Sequence, residues 1–230
     1  SEIGYLDLAP SIGDQNGLNL DSDDLFQVFS RPNSFLFLAE INLTGANVKD
    51  RDMLHLQHLP RLARLWLSST GICNETMYYL TPLKRSLTDL DIAYNPKIDD
   101  DAIPPLLFLT KLQYLTFHGT SITIVGVRRL AKTLRDQKRD MEVEVPRQCE
   151  EYISKLSKHY LLEPASPLIT DPKAVSSLTR VAVERNLTAH MQSGSEEDKG
   201  ERLTQRLREL LELREADLLA KALILQEPLA

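Results

Sequence analysis

Cysteine is nearly absent from this chain: Cys73 and Cys149 are the only two in 230 residues, 76 positions apart. A disulfide scaffold is thereby excluded, and a reducing, intracellular compartment, cytoplasmic or nuclear, is expected. Nine scattered glycines form neither G-x-x-x-x-G-K nor G-x-G-x-x-G, so no phosphate-cradling loop and no dinucleotide fingerprint is present. No G-x-S-x-G turn places a serine nucleophile. Apolar runs fall short of the roughly 20 residues that cross a bilayer, so no membrane partner is expected. The opening Ser1-Glu2-Ile3-Gly4 carries neither a basic leader nor a signal core, and the missing Met leaves room for a segment upstream. Of five histidines, His55 and His58 stand three apart and in principle share a metal, but no further ligand accompanies them, and outward polar residues on a helix are the simpler reading. No catalytic residue, cofactor or metal ligand is assigned, and no enzyme is expected.

What is present suits one elongated globular body: 42% apolar residues, 26% charged residues and a net charge of −6. The charge is uneven. Residues 1–34 carry a net −5, residues 35–140 a net +3 and residues 141–230 a net −4.

Four segments repeat. Leu38-Ala-Glu-Ile-Asn-Leu43, Leu62-Ala-Arg-Leu-Trp-Leu67, Leu87-Thr-Asp-Leu-Asp-Ile92 and Leu112-Gln-Tyr-Leu-Thr-Phe117 each read L-x-x-L-x-L, with starts 24, 25 and 25 residues apart. Eight residues past each start stands Ala46, Thr70, Asn95 or Thr120, followed by Val48, Ile72, Ile98 or Ile122. Apolar residues then recur at helical spacing: Met53, Leu56 and Leu59; Met77, Leu80 and Leu83; Ile103, Leu106 and Leu109; Val127 and Leu130, with Thr133 breaking the series. The period-two core predicts a short strand and the later spacing a helix. A strand-plus-helix unit cannot enclose its own apolar face, so neighbouring units must stack. Asp50, Asn74 and Asp100 are placed to cap the helices. Pro104-Pro105 predicts that the third helix starts late or runs as a 3₁₀ turn.

Over about residues 35–134 the sequence resembles the leucine-rich repeat family, in the short-helix variety of F-box substrate receptors and ribonuclease-inhibitor-like proteins. It departs at Ala46, where the inward polar residue is missing. The resemblance implies an α/β solenoid with short parallel strands on its concave face, followed by a C-terminal α-helical region. The expected organisation is an N-terminal degenerate repeat or cap (1–34), the solenoid (35–145), a helical region (146–190), a flexible linker (191–200) and an amphipathic helix (201–230). Within the cap, Gly4 to Leu8 reads as a degenerate strand and Leu20 to Ser30 as a helix. Met141-Glu-Val-Glu-Val145 reads as a final strand. A helix follows from Pro146 to before Pro164, and another from the Asp171-Pro172 cap to about Ala189. His190-Met191 and Gly194-Ser195 resemble cloning-site pairs, so residues after about 190 are either native continuation or a tethered segment.

If the leucines of each strand point inward, the alternating residues line the opposite face. These are Glu40, Asn42 and Thr44; Arg64, Trp66 and Ser68; Asp89, Asp91 and Ala93; Tyr114, Thr116 and His118, with Tyr5 and Asp7 extending the stripe. Trp66 sits at its centre, either exposed as an interface anchor or covered by a loop or the C-terminal helices. Glu40, Asn42, Arg64, Trp66, Asp89, Asp91, Tyr114, Thr116 and His118 form the expected partner-binding set. A second set, Arg128, Lys132, Arg135 and Arg139, makes one basic stripe on the last repeat helix. It either meets an acidic partner or nucleic acid, or is a solvated or internally neutralised face; the lack of interleaved aromatics weighs against nucleic acid. Leu203, Leu207, Leu211 and Leu218 mark a helix-docking stripe, for this protein's own helical domain, a partner groove or self-association. Three N-x-T triplets, at Asn42, Asn74 and Asn186, matter only on a secreted chain. The sequence therefore leads to a non-catalytic adaptor or scaffold subunit that binds a protein partner. The alternatives are a substrate-recognition subunit of a ubiquitin ligase and a nucleic-acid-associated subunit.

Overall fold

The structure, a computed structural model, describes residues 3–9, 22–31, 33–190 and 200–228. Six three-residue strands form one parallel sheet in chain order: β1 (Tyr5–Asp7), β2 (Glu40–Asn42), β3 (Arg64–Trp66), β4 (Asp89–Asp91), β5 (Tyr114–Thr116) and β6 (Glu142–Glu144). The central apolar residues are in register from Leu6 through Ile41, Leu65, Leu90 and Leu115 to Val143. All but Leu6 are fully buried, and with the helical leucines they form one continuous core. The fold is thus mixed α/β, and the sheet extends one strand beyond the four sequence units at each end.

The helical arms vary more than their common spacing suggests. The first is 3₁₀ throughout (Asp50–His58), the second is α2 (Asn74–Leu80), the third is a 3₁₀ turn (Asp100–Ala102) running into α3 (Ile103–Leu107), and the fourth is α4 (Ile124–Gln137). Upstream, α1 (Ser22–Gln27) continues into a 3₁₀ turn. In α4 the Thr133 hydroxyl turns back to the Arg129 carbonyl, and buried Ala131 and Leu134 carry the apolar side of the helix past the break in spacing.

The capping expectation needs correction. Lys49, Cys73 and Asp99 occupy the N-cap positions, one residue before the three chosen from sequence, and Thr123 caps the fourth helix, for which none was chosen. Asp50 and Asp100 reach forward instead, each into the next unit: the Asp50 carboxylate accepts from the Cys73 N–H and the Thr76 hydroxyl, both at 2.7 Å, and Asp100 accepts from the Thr123 N–H and hydroxyl at 2.8 and 2.6 Å. Asn74 and Asp99 exchange two hydrogen bonds between them. Partial burial works against ionisation of Asp50, but these bonds outweigh it and hold the carboxyl below its usual range. The result is a polar ladder that fixes the spacing of successive helices where the apolar core alone would let them slide.

Asn95 does the same on the strand side. Fully buried, it accepts from the Thr70 and Gly71 N–H groups and donates to the carbonyls of Leu67, Ile92 and Ala93. Its side chain ties together backbone groups of two successive turns, sharing the Leu67 carbonyl with the Thr70 hydroxyl and the Ala93 carbonyl with the Ser69 N–H. After β2 to β5, the third residue beyond each strand takes a left-handed backbone: Gly45, Ser69, Tyr94 and Gly119. At Gly119 the requirement is double, because a Cβ there would lie 2.7 Å from the Tyr94 ring.

Beyond β6 come α5 (Arg147–Ser154), a 3₁₀ turn (Leu156–Lys158), a second 3₁₀ turn (Pro172–Ser177), α6 (Arg180–Ala189) and α7 (Gly200–Ile224). The single helix expected from Asp171 to Ala189 is in fact two pieces, broken at extended Leu178 and restarted by the Thr179 hydroxyl as a new N-cap. The expected linker lies, save for Gly200, outside the described residues. α7 packs on α4, α5, α6, the Pro172–Ser177 turn and β6. Leu203, Leu207, Leu210, Leu211, Leu219 and Leu223 are its buried stripe. Leu218, expected on that stripe, is only half-buried, because Asp217 takes the inward position beside it.

Candidate functional site: the open face of the sheet

Strand alternation puts two rows of side chains on the face away from the core. One runs Tyr5, Glu40, Arg64, Asp89, Tyr114, Glu142; the other runs Asp7, Asn42, Trp66, Asp91, Thr116, Glu144. The residues expected to bind a partner are therefore neighbours, one strand apart. Arg64 is exposed and paired with Glu40; Asn42, Asp89, Asp91, Tyr114 and His118 are half-buried. Trp66 is also half-buried, between the exposed and covered alternatives. Thr116 is only 6% exposed and forms floor rather than contact surface. Ser68 and Ala93 are buried, so the face closes after its second row on that side.

The electrostatics concentrate around β4 to β6. Asp91 accepts from the Ala93 N–H at 2.9 Å, yet burial pushes its carboxyl above the usual range; the Ala93 N–H and His118 oppose that shift, and Glu144 adds to it. The Tyr114 hydroxyl donates to Glu144 at 2.5 Å, and that bond to a carboxylate holds its proton and raises its pKa. His118 Nδ1 lies 3.5 Å from Glu144, and its ring meets Tyr94 edge-on with centroids 4.6 Å apart. Three of these participants escaped the sequence reading. Glu142 and Glu144 belong to a strand recognised from its alternation, and the same alternation assigns them to this face. Tyr94 sits in a turn, where strand periodicity carries no information.

The basic stripe divides differently. Arg128 Nε donates to Asp217 of α7 at 2.6 Å and its Nη2 to the Tyr152 hydroxyl at 2.9 Å. Arg135 pairs with Glu215 at 2.8 Å, and Arg139 donates to the Leu107 and Leu109 carbonyls. Lys132 is exposed at a cleft of about 390 Å³ lined also by Arg135, Asp171, Lys173, Glu212 and Glu215, where both signs of charge mix. Three of the four bases thus work inside the fold. His55 and His58 diverge as well, His55 bonding Ser30 and His58 contacting Gln57. Among the described residues no group of three metal-type side chains converges. No protein-family model and no curated protein matches this chain.

Proposed function

We propose that this chain is a non-catalytic protein-interaction module of the leucine-rich repeat type, a solenoid whose open sheet face binds a protein partner and whose C-terminal helices close its last coil. The observation that carries the reading is the in-register clustering of Arg64, Trp66, Asp89, Asp91 and Tyr114 on a sheet face backed by a continuous apolar core. Such a platform holds large side chains at fixed spacing, so a partner meets them with little ordering cost. Tryptophan, tyrosine and arginine are the residue types that dominate interface energetics. An intracellular setting fits two cysteines that remain free and an Asn186 so buried that its N-x-T triplet is inaccessible in the folded chain.

The test is site-specific photo-crosslinking in native extract. A benzophenone amino acid replaces Trp66 in one variant and Phe108, exposed on the helical side, in a control. The expected outcome is a discrete adduct from position 66 alone. Adducts that are the same from both positions, or that form only from position 108, remove the open face as the binding site.

A further inference from the structure

The chemistry of the partner follows from the charge on this face, a step that rests on the reading above. Its two rows hold six carboxylates, Asp7, Glu40, Asp89, Asp91, Glu142 and Glu144, and one permanent cation, Arg64, already paired with Glu40. The hydrogen bonds received by Asp7, Asp89 and Asp91 come from neutral donors: the Ala9 N–H, the Thr88 hydroxyl and the Ala93 N–H. Glu144 adds the Tyr114 hydroxyl, with His118 alongside. The neutral donors neutralise no charge, His118 carries one only when protonated, and Asp91 is half-withdrawn from water as well.

Within residues 1–230, the segments outside the described residues do not complement the face. Residues 10–21 contain no lysine or arginine, and residues 191–199 carry three acids against Lys199. A cation must come from elsewhere.

Four of the carboxylates bracket β5. Asp89 and Asp91 stand on one side of it and Glu142 and Glu144 on the other, about 10 Å apart across two strand spacings, with each pair about 7 Å apart along its strand. Between them Thr116 is small and buried, so the floor is low, and Tyr114 supplies an aromatic wall. The geometry points to an arginine of a partner protein laid over β5, its guanidinium between the two acid pairs and against the Tyr114 ring, with the adjoining partner residue on Trp66. Arginine suits this arrangement better than lysine, because a planar fork bonds carboxylates on two sides while stacking on an aromatic face.

The probe is a phage library of random 12-residue peptides panned on the full chain, with the selected peptides synthesised and titrated by fluorescence polarisation. The titrations use the unmodified protein, Trp66→Ala and the double variant Asp91→Asn/Glu144→Gln. Asparagine and glutamine keep the oxygens that accept from Ala93 and Tyr114, and circular dichroism verifies folding. The expected peptides carry arginine, lose about tenfold or more in affinity on the double variant, as close charge pairs at interfaces do, weaken with added salt, and weaken when arginine becomes lysine. Peptides that depend on Trp66 but lack arginine, or that bind the double variant unchanged, overturn this inference and leave the face as a binding site. A selection in which no peptide depends on Trp66 overturns both.

Discussion

Replacing Asp217 with leucine exposes what holds α7 in place. Asp217 is 1% exposed and accepts from Arg128 Nε and from the hydroxyls of Tyr152 and Tyr160, at 2.6, 3.0 and 2.9 Å. Leucine keeps the branched shape, with somewhat more bulk, but strands a guanidinium whose side chain is only 16% exposed, together with the buried Tyr160 hydroxyl. Breaking one side of a buried pair costs about 3–5 kcal/mol. Arg128→Met removes the other side and leaves a buried carboxylate served by two tyrosines, a loss in the same range of about 3–5 kcal/mol. The double variant Arg128→Met/Asp217→Leu carries no orphaned charge, and an apolar replacement of a buried pair is often close to neutral. With about 1–3 kcal/mol for the Tyr160 hydroxyl that still loses its acceptor, it should lie within about 3 kcal/mol of the unmodified protein, well short of the summed single losses. Urea denaturation followed by circular dichroism gives the four stabilities. Hydrogen exchange across α7 tells whether the loss is global or an undocking of that helix. Additive single losses, or singles that each cost under about 1 kcal/mol, would refute the claim that the two charges form one buried unit.

Two further outcomes follow from buried titratable groups. His190 is fully buried, its ring nitrogens meet no hydrogen-bond partner of standard geometry among the described residues, and burial lowers its pKa, helped by the Arg214 guanidinium and only partly opposed by the nearby Ile169 backbone. The unfolded chain then binds the proton more readily than the folded one, so stability falls as pH drops below about 6.5 toward the folded value. Melting temperatures at pH 7 and pH 5 should fall more for the unmodified protein than for His190→Leu, and equal slopes would exclude His190 as the source. Asp91, whose folded pKa is raised, acts near pH 4 with the opposite sign, so the two effects separate by pH. Burial, assisted by the charges of Asp100 and Glu150, pushes the Cys149 thiol up to about 11, so at pH 8 it remains a protonated, inaccessible thiol. Ellman's reagent should therefore titrate Cys73 in the native protein and Cys149 only in denaturant; two thiols reacting at one rate would contradict that burial.

The strands and their spacing were legible because each depends on one local signal, a period-two leucine pattern whose register error would turn the whole core outward. The same pattern placed Glu40, Arg64, Trp66, Asp89, Asp91 and Tyr114 on one face without knowledge of the chain path. Other features depend on contacts between units, which a single unit does not encode. Asp50 has the spacing of a cap for its own helix, and only stacking shows that Cys73 and Thr76 lie within its reach. Asp217 reads as one more acid on a charged helix until Arg128, 89 residues earlier, is found opposite it. Leu218 illustrates the converse: its spacing satisfies the apolar stripe, yet the inward place belongs to its polar neighbour. Helix type was obscured as well, since 3₁₀ and α segments share apolar spacing over one or two turns.

The α4–α7 contact bears on function through charge. A leucine stripe by itself tolerates a shift along the helix, since leucine follows leucine at positions 203, 207 and 211. The Arg128–Asp217 and Arg135–Glu215 pairs do not, because a slip of one turn carries each carboxylate about 5.4 Å from its guanidinium. The acids of α7 thus set its register and, in doing so, take up two cations from the one stretch of sequence with a positive balance. That balance consequently does not reach the surface as a basic stripe. Among the described residues, the two rows of the open sheet face hold Arg64 as the sole permanent counter-charge to their acids. On the function proposed above, that face is therefore where a cationic partner would gain most.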